Sequence, residues 1–189
     1  MSEPLDTLRV GIVGLGIGRH HLRAYQQIPG IEVVAVADTD PQRLEEFGAA
    51  NKIPNLYEDY KPLVARDDLD VVNVCTPNFL HAPVAIAALE SGKHVLCEKP
   101  LASTLADAEA MVATASRTGR ALDVTFNHRQ RADVQALKAY IDQGGLGKIY
   151  HAKAWWLRRN GIPGLGSWFT KKAMAGGGPL IDLGVHMLD

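Results

Sequence analysis

A glycine-rich turn near the amino terminus has the composition of a phosphate-binding loop. The segment Gly14–Gly18, with the sequence GLGIG, follows the apolar run Leu8–Val13 and opens a helix-like segment. Glycines suit this place because the turn is tight and side chains would keep a pyrophosphate away from free helix N–H groups. The usual fingerprint is GxGxxG, and this loop is one residue shorter. The residues predicted to contact a dinucleotide here are Gly14, Gly16, Ile17 and Gly18.

An acidic residue lies where a ribose would be recognised. Asp38 ends the next apolar run, about 20 residues beyond the loop. This is the spacing expected of an acid that binds the adenosine ribose hydroxyls. A carboxylate there repels a ribose phosphate, so NAD is favoured over NADP. Arg43 lies close enough to keep NADP open as an alternative. The other interpretation is a structural turn followed by an acid at the end of a strand.

A lysine follows the run His94–Cys97, within the triplet Glu98–Pro100. Ligands of open α/β sheets bind at the carboxyl ends of the strands, where this triplet would lie. Lys99 could hydrogen-bond a substrate oxygen there and stabilise alkoxide character as hydride leaves the adjacent carbon. The Lys99–Pro100 bond can be cis at modest cost. A solvated surface lysine is the alternative.

Short apolar runs alternate with helix-length amphipathic segments from Leu8 to Phe126. The runs lack strict polar alternation, as expected of strands covered on both faces. This alternation predicts an α/β fold, a doubly wound parallel sheet of the Rossmann type. The predicted strands are Leu8–Val13, Ile31–Asp38, Val71–Cys75, His94–Cys97 and Ala121–Phe126. The predicted helices are Arg19–Ile28, Pro41–Ala50, Tyr57–Ala65, Pro83–Ser91 and Thr104–Thr118.

The last of these helices has a clear start. Thr104 and Asp107 can form a capping box. An apolar stripe is predicted on its inner face. The residues of that stripe are Leu101, Leu105, Ala108 and Val112.

The pattern changes after Phe126. A helix is predicted over Arg131–Gln143, and a long strand over Lys148–Arg159, which carries Trp155, Trp156 and Arg158. One strand cannot form a sheet, and the chain stops inside the apolar stretch Leu180–Leu188 without a capping signal. We therefore expect a dinucleotide-binding domain at residues 1–126 and, at residues 127–189, only the beginning of an α/β substrate domain whose remainder follows in the native protein.

Composition limits the class of protein. The 189 residues are 47% apolar and 22% charged, and the net charge of −1 gives no support for nucleic-acid or membrane-surface binding. No apolar run approaches the ~20 residues that a membrane span needs. The first residues are polar and unlike a signal peptide, so a cytoplasmic protein is expected. Cys75 and Cys97 each close an apolar run and are predicted to be free, buried thiols without a metal.

Three further segments carry a family pattern. They are Val71–His81 (VVNVCTPNFLH), Ser91–Pro100 (SGKHVLCEKP) and Gly176–His186 (GGGPLIDLGVH). With the glycine loop, they make nearly the whole chain resemble the amino-terminal portion of the Gfo/Idh/MocA family of NAD(P)-dependent oxidoreductases. That family includes inositol dehydrogenase and glucose–fructose oxidoreductase.

The resemblance implies that Lys99, Asp182 and His186 are catalytic and line the cleft where nicotinamide meets substrate. Asp182 and His186 are four residues apart, so on a helix they would share a face. A neutral imidazole, with a pKa near ~6.5, suits the removal of a hydroxyl proton. Asp182 would orient that histidine or bind a substrate hydroxyl. Without the resemblance, a packing histidine and a helix cap are the simpler interpretations.

Other positions match the family less specifically. Thr76 and Asn78 are expected to contact the nicotinamide half of the cofactor, and Glu98 matches a cofactor-contacting position that could also be structural. Asn127 and Arg129 lie at the expected domain junction. Strand alternation would turn only one of Trp155 and Trp156 towards the cleft, without indicating which one. A buried packing role is favoured for both.

Three functions stay in competition. The first is a dehydrogenase that oxidises a secondary alcohol of a sugar or cyclitol with NAD, acting on a small molecule and forming a homo-oligomer. The second is NAD-dependent glycoside hydrolysis, in which hydride leaves and returns. The third is a non-catalytic nucleotide-binding protein, which the presence of Lys99, Asp182 and His186 disfavours.

Overall fold

The computed structural model describes residues 7–157, 159–160 and 166–189. Its strands are β1 Leu8–Val13, β2 Ile31–Ala37, β3 Asn55–Tyr57, β4 Val71–Val74, β5 His94–Cys97 and β6 Leu122–Val124. They form a six-stranded sheet in the order β3-β2-β1-β4-β5-β6. Every neighbouring pair runs parallel. The prediction of a doubly wound parallel sheet is confirmed.

Helices cover both faces of this sheet. The described helices are α1 Leu15–Tyr25, α2 Pro41–Asn51, α3 Tyr60–Val64, α4 His81–Glu90, α5 Leu105–Thr118, α6 Ala132–Asp142, α7 Lys172–Ala175 and α8 Val185–Leu188. One face of the sheet packs on α1 and α2 through buried Leu15, Leu22 and Leu44. The opposite face packs on α3, α4 and α5 through residues such as Leu63, Leu89 and Met111. Burial from both sides explains why the strand sequences are continuous apolar runs.

Some predicted boundaries are wrong. Helix α1 begins at Leu15 rather than Arg19, because the glycine loop itself forms its first turn. The segment predicted as one helix from Tyr57 is divided: Tyr57 ends β3, and α3 starts only at Tyr60. The Asp59 carboxylate accepts a hydrogen bond from Lys61 N at 2.9 Å and so caps that later start.

Helix α5 is capped as predicted but buries a different face. Thr104 Oγ1 accepts a hydrogen bond from Asp107 N at 3.1 Å. Leu105 and Val112 of the predicted stripe are 75% and 55% exposed, whereas Met111 is fully buried. The helix docks against α4, and that contact selects the inward face.

Residues 127–189 contain fewer packed elements. Helix α6 has no buried residue. The long strand predicted over Lys148–Arg159 is wrong for residues 148–157, which have no regular secondary structure. A strand needs a hydrogen-bonding neighbour, and none of the described residues supplies one. Arg158 lies outside the described residues.

The carboxyl-terminal helix is irregular. A π-helical turn spans Leu180–Gly184 and runs directly into α8. Among the described residues, no helix combines the length and apolar content needed to cross a bilayer.

Candidate active site

A cleft of about 820 Å³ runs along the carboxyl edge of the sheet. Its volume is in the range of cofactor and small-molecule sites, about 300–1,000 Å³. It begins at the loop after β1, passes the end of β2, and reaches the turns after β4 and β5. Eight of the predicted site residues line it: Gly14, Gly16, Ile17, Asp38, Thr76, Asn78, Glu98 and Lys99.

The glycine loop has one structural and one open glycine. Gly14 has φ 93°, and a methyl group there would lie 2.7 Å from the Cys75 carbonyl carbon. Around Gly16 an added methyl group would meet nothing within 4 Å, since this residue faces the cleft. The N-cap residue Gly14 supplies no side-chain cap to α1, and the first turn holds no acidic residue. Asp38 accepts a hydrogen bond from the first N–H, that of Leu15, so the following N–H groups of the first turn are the ones available to an anion.

Gly18 differs from the other predicted loop contacts. It does not line the cleft but lies on the face of α1 that packs against β1, where a methyl group would lie 2.8 Å from Ile12 Cγ2. The structure thus gives Gly18 the role of close helix–strand packing.

Asp38 is tied to the loop and to α2. Its Oδ2 accepts a hydrogen bond from Leu15 N at 2.8 Å, and its Oδ1 accepts one from Asp40 N at 3.0 Å. The Arg43 guanidinium reaches Asp38 at 3.2 Å and Asp40 at 3.1 Å. Asp38 and Asp40 therefore neutralise Arg43, the residue on which the NADP alternative depended.

The turn after β4 offers one unpaired polar atom. Thr76 Oγ1 is buried without a hydrogen-bond partner. Because a buried hydroxyl without a partner is costly, this atom is suited to a bound ligand. Asn78 instead donates from Nδ2 to Ala175 O at 2.8 Å, so its amide ties α7 to the cleft wall.

Glu98 lies under the turn after β5. Its Oε1 accepts a hydrogen bond from His21 Nε2 at 2.8 Å, and its Oε2 accepts one from Lys99 N at 3.2 Å. Both side chains are largely buried. Glu98 therefore holds the backbone of the predicted catalytic lysine against α1.

Lys99 joins the two parts of the chain. The Lys99–Pro100 bond is cis. Lys99 Nζ donates to Asp182 Oδ1 at 2.9 Å and to the Asp182 carbonyl at 3.0 Å. The structure therefore brings together two of the three predicted catalytic residues, which lie 83 positions apart.

The third, His186, lies beside them in an aromatic stack. Its ring packs on His128 at a centroid distance of 4.7 Å, and the Phe126 ring meets it edge-on at 6.4 Å. His186 Nδ1 is buried without a partner, and Asp182 bonds to Lys99 rather than to this histidine. Burial lowers the pKa of His186, and the charges of Lys99 and His128 lower it further.

Several residues of this region lie outside the sequence predictions. Trp168 and Phe169 stack with centroids 3.8 Å apart and line the cleft. In the sequence, this pair was marked only by two adjacent aromatic residues that follow a glycine-rich loop. Arg19 and His20 line the cleft beside the glycine loop. His81, the last residue of the segment Val71–His81 that carries the family resemblance, also lines the cleft and is fully buried. Arg129, placed at the junction by sequence, pairs with Asp189.

The two thiols are structural. Cys75 and Cys97 are free and buried, as predicted. Burial and the nearby Glu98 raise the pKa of both thiols, so they stay protonated. Within the described ranges, no group of three His, Cys, Asp or Glu side chains could hold a metal ion.

Two family models match the chain. Residues 8–126 match the model described as "Oxidoreductase family, NAD-binding Rossmann fold" (GFO_IDH_MocA). Residues 134–189 match the "GFO/IDH/MocA C-terminal domain".

Individual proteins are similar over much of the chain. A D-glucoside 3-dehydrogenase of Escherichia coli (strain K12) is 40% identical over 184 residues, which is 96% of this chain and 52% of that protein. A glycosyl hydrolase family 109 protein of Shewanella pealeana is 36% identical, over 79% of this chain and 35% of its own. The solved structure of levoglucosan dehydrogenase with NADH and L-sorbose superposes with a TM-score of 0.85 at 32% identity, covering 98% of this chain and 52% of that one. The chain thus spans about half the length of such relatives.

Proposed function

We propose, on the premise that this chain belongs to the Gfo/Idh/MocA family of NAD-binding oxidoreductases, that it takes hydride from a secondary alcohol of a sugar or cyclitol. One observation carries the proposal. The cleft that starts at Gly16 and Asp38 ends at Lys99, whose ammonium group is paired with Asp182 at 2.9 Å. A dinucleotide-sized groove and a preorganised cation thus share one wall.

The cofactor-binding residues fit NAD. The open space at Gly16 and the N–H groups of α1 that follow Leu15 suit a pyrophosphate. Asp38 suits the ribose hydroxyls, and Thr76 Oγ1 provides an unpaired hydroxyl in the same cleft. NAD bound there would accept the hydride at its nicotinamide ring.

The chain's own groups would handle the hydroxyl proton. A neutral His186 would take the proton, since its lowered pKa keeps the imidazole neutral near pH 7. The Lys99 ammonium would hydrogen-bond the same oxygen and stabilise the negative charge that develops on it. Asp182 would hold Lys99 in place.

Two titrations test cofactor binding. Calorimetry should show that the protein binds NADH more tightly than NADPH. Replacing Asp38→Ala should weaken NADH binding by about 10-fold or more, because hydrogen bonds to a charged group are lost. Glu46→Ala, which removes an exposed carboxylate of α2 that does not line the cleft, should keep the preference for NADH. A folded wild-type chain without affinity for either coenzyme would refute the proposal.

A substrate screen tests the reaction. Sugars and cyclitols are incubated with NAD or NADP, and reduced nicotinamide is followed by absorbance. Net reduction that depends on an alcohol substrate supports the proposal. Reduction with none of the substrates would contradict it.

Glycoside hydrolysis is the second candidate. Similarity to a glycosyl hydrolase family 109 protein favours it. Hydride would leave and return in that reaction, so an aglycone would be released without net reduction of the nicotinamide. Measuring both products on one glucoside separates the two.

Three wider predictions belong to the same proposal. The domain boundary at residues 126–127 is supported by the end of the first family match. A homo-oligomer and a cytoplasmic location stay predictions, which solution scattering and cell fractionation would test.

A further inference from the structure

His81, the first residue of α4, lines the cleft and is 0% exposed. Its ring bridges two turns. Nδ1 is 2.7 Å from the Pro100 carbonyl oxygen, and Nε2 is 3.0 Å from the Thr76 carbonyl oxygen. One ring therefore joins the turn after β4 to the turn that carries Lys99.

Both partners of His81 can only accept hydrogen bonds. A neutral imidazole carries one N–H, so one of its nitrogens would face a carbonyl oxygen with a lone pair. The shorter contact, 2.7 Å from Nδ1 to the Pro100 carbonyl oxygen, lies within the ordinary N–H···O range and suits Nδ1 as the donor.

Burial lowers the pKa of His81 overall, and the two carbonyls and Glu98 oppose that shift without reversing it, while Lys99 adds to it. Glu98 is already paired with His21, and Lys99 has its own counter-charge in Asp182. The thiols of Cys75 and Cys97 stay protonated because burial raises their pKa. The His81 ring is therefore neutral near pH 7.

We propose that the neutral His81 ring positions the Thr76 and Lys99 turns: Nδ1–H donates a hydrogen bond to the Pro100 carbonyl oxygen, and Nε2 packs against the Thr76 carbonyl oxygen. The functional part of this inference rests on the proposed function, in which these two turns frame the reacting end of a cofactor. His81 is a positioning residue, since both of its ring nitrogens face backbone carbonyls rather than a ligand.

Protonation is measured on the unmodified protein. Nitrogen NMR of the histidine-labelled chain at about pH 8, above the ordinary imidazole pKa of ~6.5, should show one neutral tautomer for His81, protonated at Nδ1. The signal is assigned by its loss in His81→Gln. Protonation at Nε2, alone or in exchange with Nδ1, would overturn the proposal, whether or not the protein binds a coenzyme.

Positioning is measured with a matched pair of variants. His81→Asn cannot span both carbonyls, so it should weaken NADH binding by about 10-fold and change ADP-ribose binding less than about twofold. His94→Asn removes a histidine at the other end of β5, where Nδ1 accepts a hydrogen bond from Ala121 N at 2.9 Å. This control should bind both ligands like wild type.

Each outcome has a distinct meaning. Unchanged NADH affinity in a folded His81→Asn protein contradicts the positioning role. Equal loss of NADH and ADP-ribose contradicts it as well, because the effect would then not be local to the nicotinamide end. If circular dichroism shows that His81→Asn does not fold, the nitrogen spectrum of the wild type decides. Absence of NADH binding by wild type refutes the proposed function instead.

Discussion

The two parts of the chain are stabilised differently. In residues 7–126, each strand lies between covered faces, and side chains such as Ile12 and Leu89 are fully buried. In the described part of residues 127–189, Tyr150 and Leu157 are 93% and 88% exposed. The first part contains its own hydrophobic core, whereas the second is fixed to it mainly by polar contacts.

Those contacts coincide with the candidate chemistry. Asn78 bonds to the Ala175 carbonyl, and Lys99 bonds to Asp182. His186 also belongs to the less packed part. The cofactor groove is therefore formed mainly by the edge of the sheet. The position of His186, the proposed proton acceptor, depends instead on how residues 127–189 pack against the first part.

The largest expected effect is on turnover. Lys99→Met should lower kcat of alcohol-dependent nicotinamide reduction by about 10²–10³-fold, because a donor to the developing alkoxide is lost. Lys138→Met, on exposed α6, is the matched control and should keep full activity. NADH affinity should change little in either variant. Full activity of the Lys99 variant would remove this residue from the chemistry.

The difference in packing predicts unequal costs of the same substitution. Leu89→Ala, in the buried face of α4, should lower the free energy of unfolding by about 2–5 kcal/mol. Leu137→Ala on α6, where the side chain is 55% exposed, should cost less than about 0.5 kcal/mol. Urea titration measures both. Similar costs would mean that the second part is packed as firmly as the first.

Two glycines separate folding from binding. Gly14→Ala places a side chain at positive φ against Cys75 and should destabilise the fold by about 2 kcal/mol or more. Gly16→Ala lies in helix α1 and should stabilise it by about 0.5–1 kcal/mol. The added methyl group occupies the proposed phosphate space, so NADH binding should weaken about tenfold. Thermal melting measures the change in stability of the two variants, and calorimetry measures their affinity for NADH.

The smallest effect concerns the pKa of His186. Burial lowers this pKa first, and Lys99 and His128 lower it further. The native state then binds fewer protons than the unfolded state, so the contribution to stability is complete above about pH 6.5 and is lost as the pH falls through the folded pKa. His128→Phe should move the His186 titration to higher pH in an NMR experiment. A shift to lower pH would contradict the conclusion that His128 lowers the pKa of His186.

Sequence predicted the cofactor half in detail and the second half poorly. The bounds of β1 and β5 agree with the structure, because continuous apolar runs bounded by glycine and charge leave little choice. The three-residue β3 was missed, since so short an edge strand has no periodic pattern. The strand predicted from Lys148 is absent from residues 148–157, because β structure depends on a neighbour that local sequence does not specify.

The candidate site shows the same division. Gly16, Asp38 and Lys99 could be predicted because their places follow from strand ends in a parallel sheet. The role of Gly18 in packing and the pairing of Asp182 with Lys99 could not, since both depend on distances across the fold. The aromatic pair at Trp168 reaches the cleft through contacts between α7 and the turn at Asn78.

Local sequence patterns are sufficient to predict the alternating fold, the phosphate loop, and the places of Asp38 and Lys99 after the ends of β2 and β5. All of these are local patterns, because hydrophobic periodicity and glycine geometry act over a few residues. Tertiary structure alone decided which groups meet: His81 between two carbonyls, Glu98 against His21, and Lys99 against Asp182. Such pairings join residues far apart in sequence, so their energies depend on packing that no local pattern encodes.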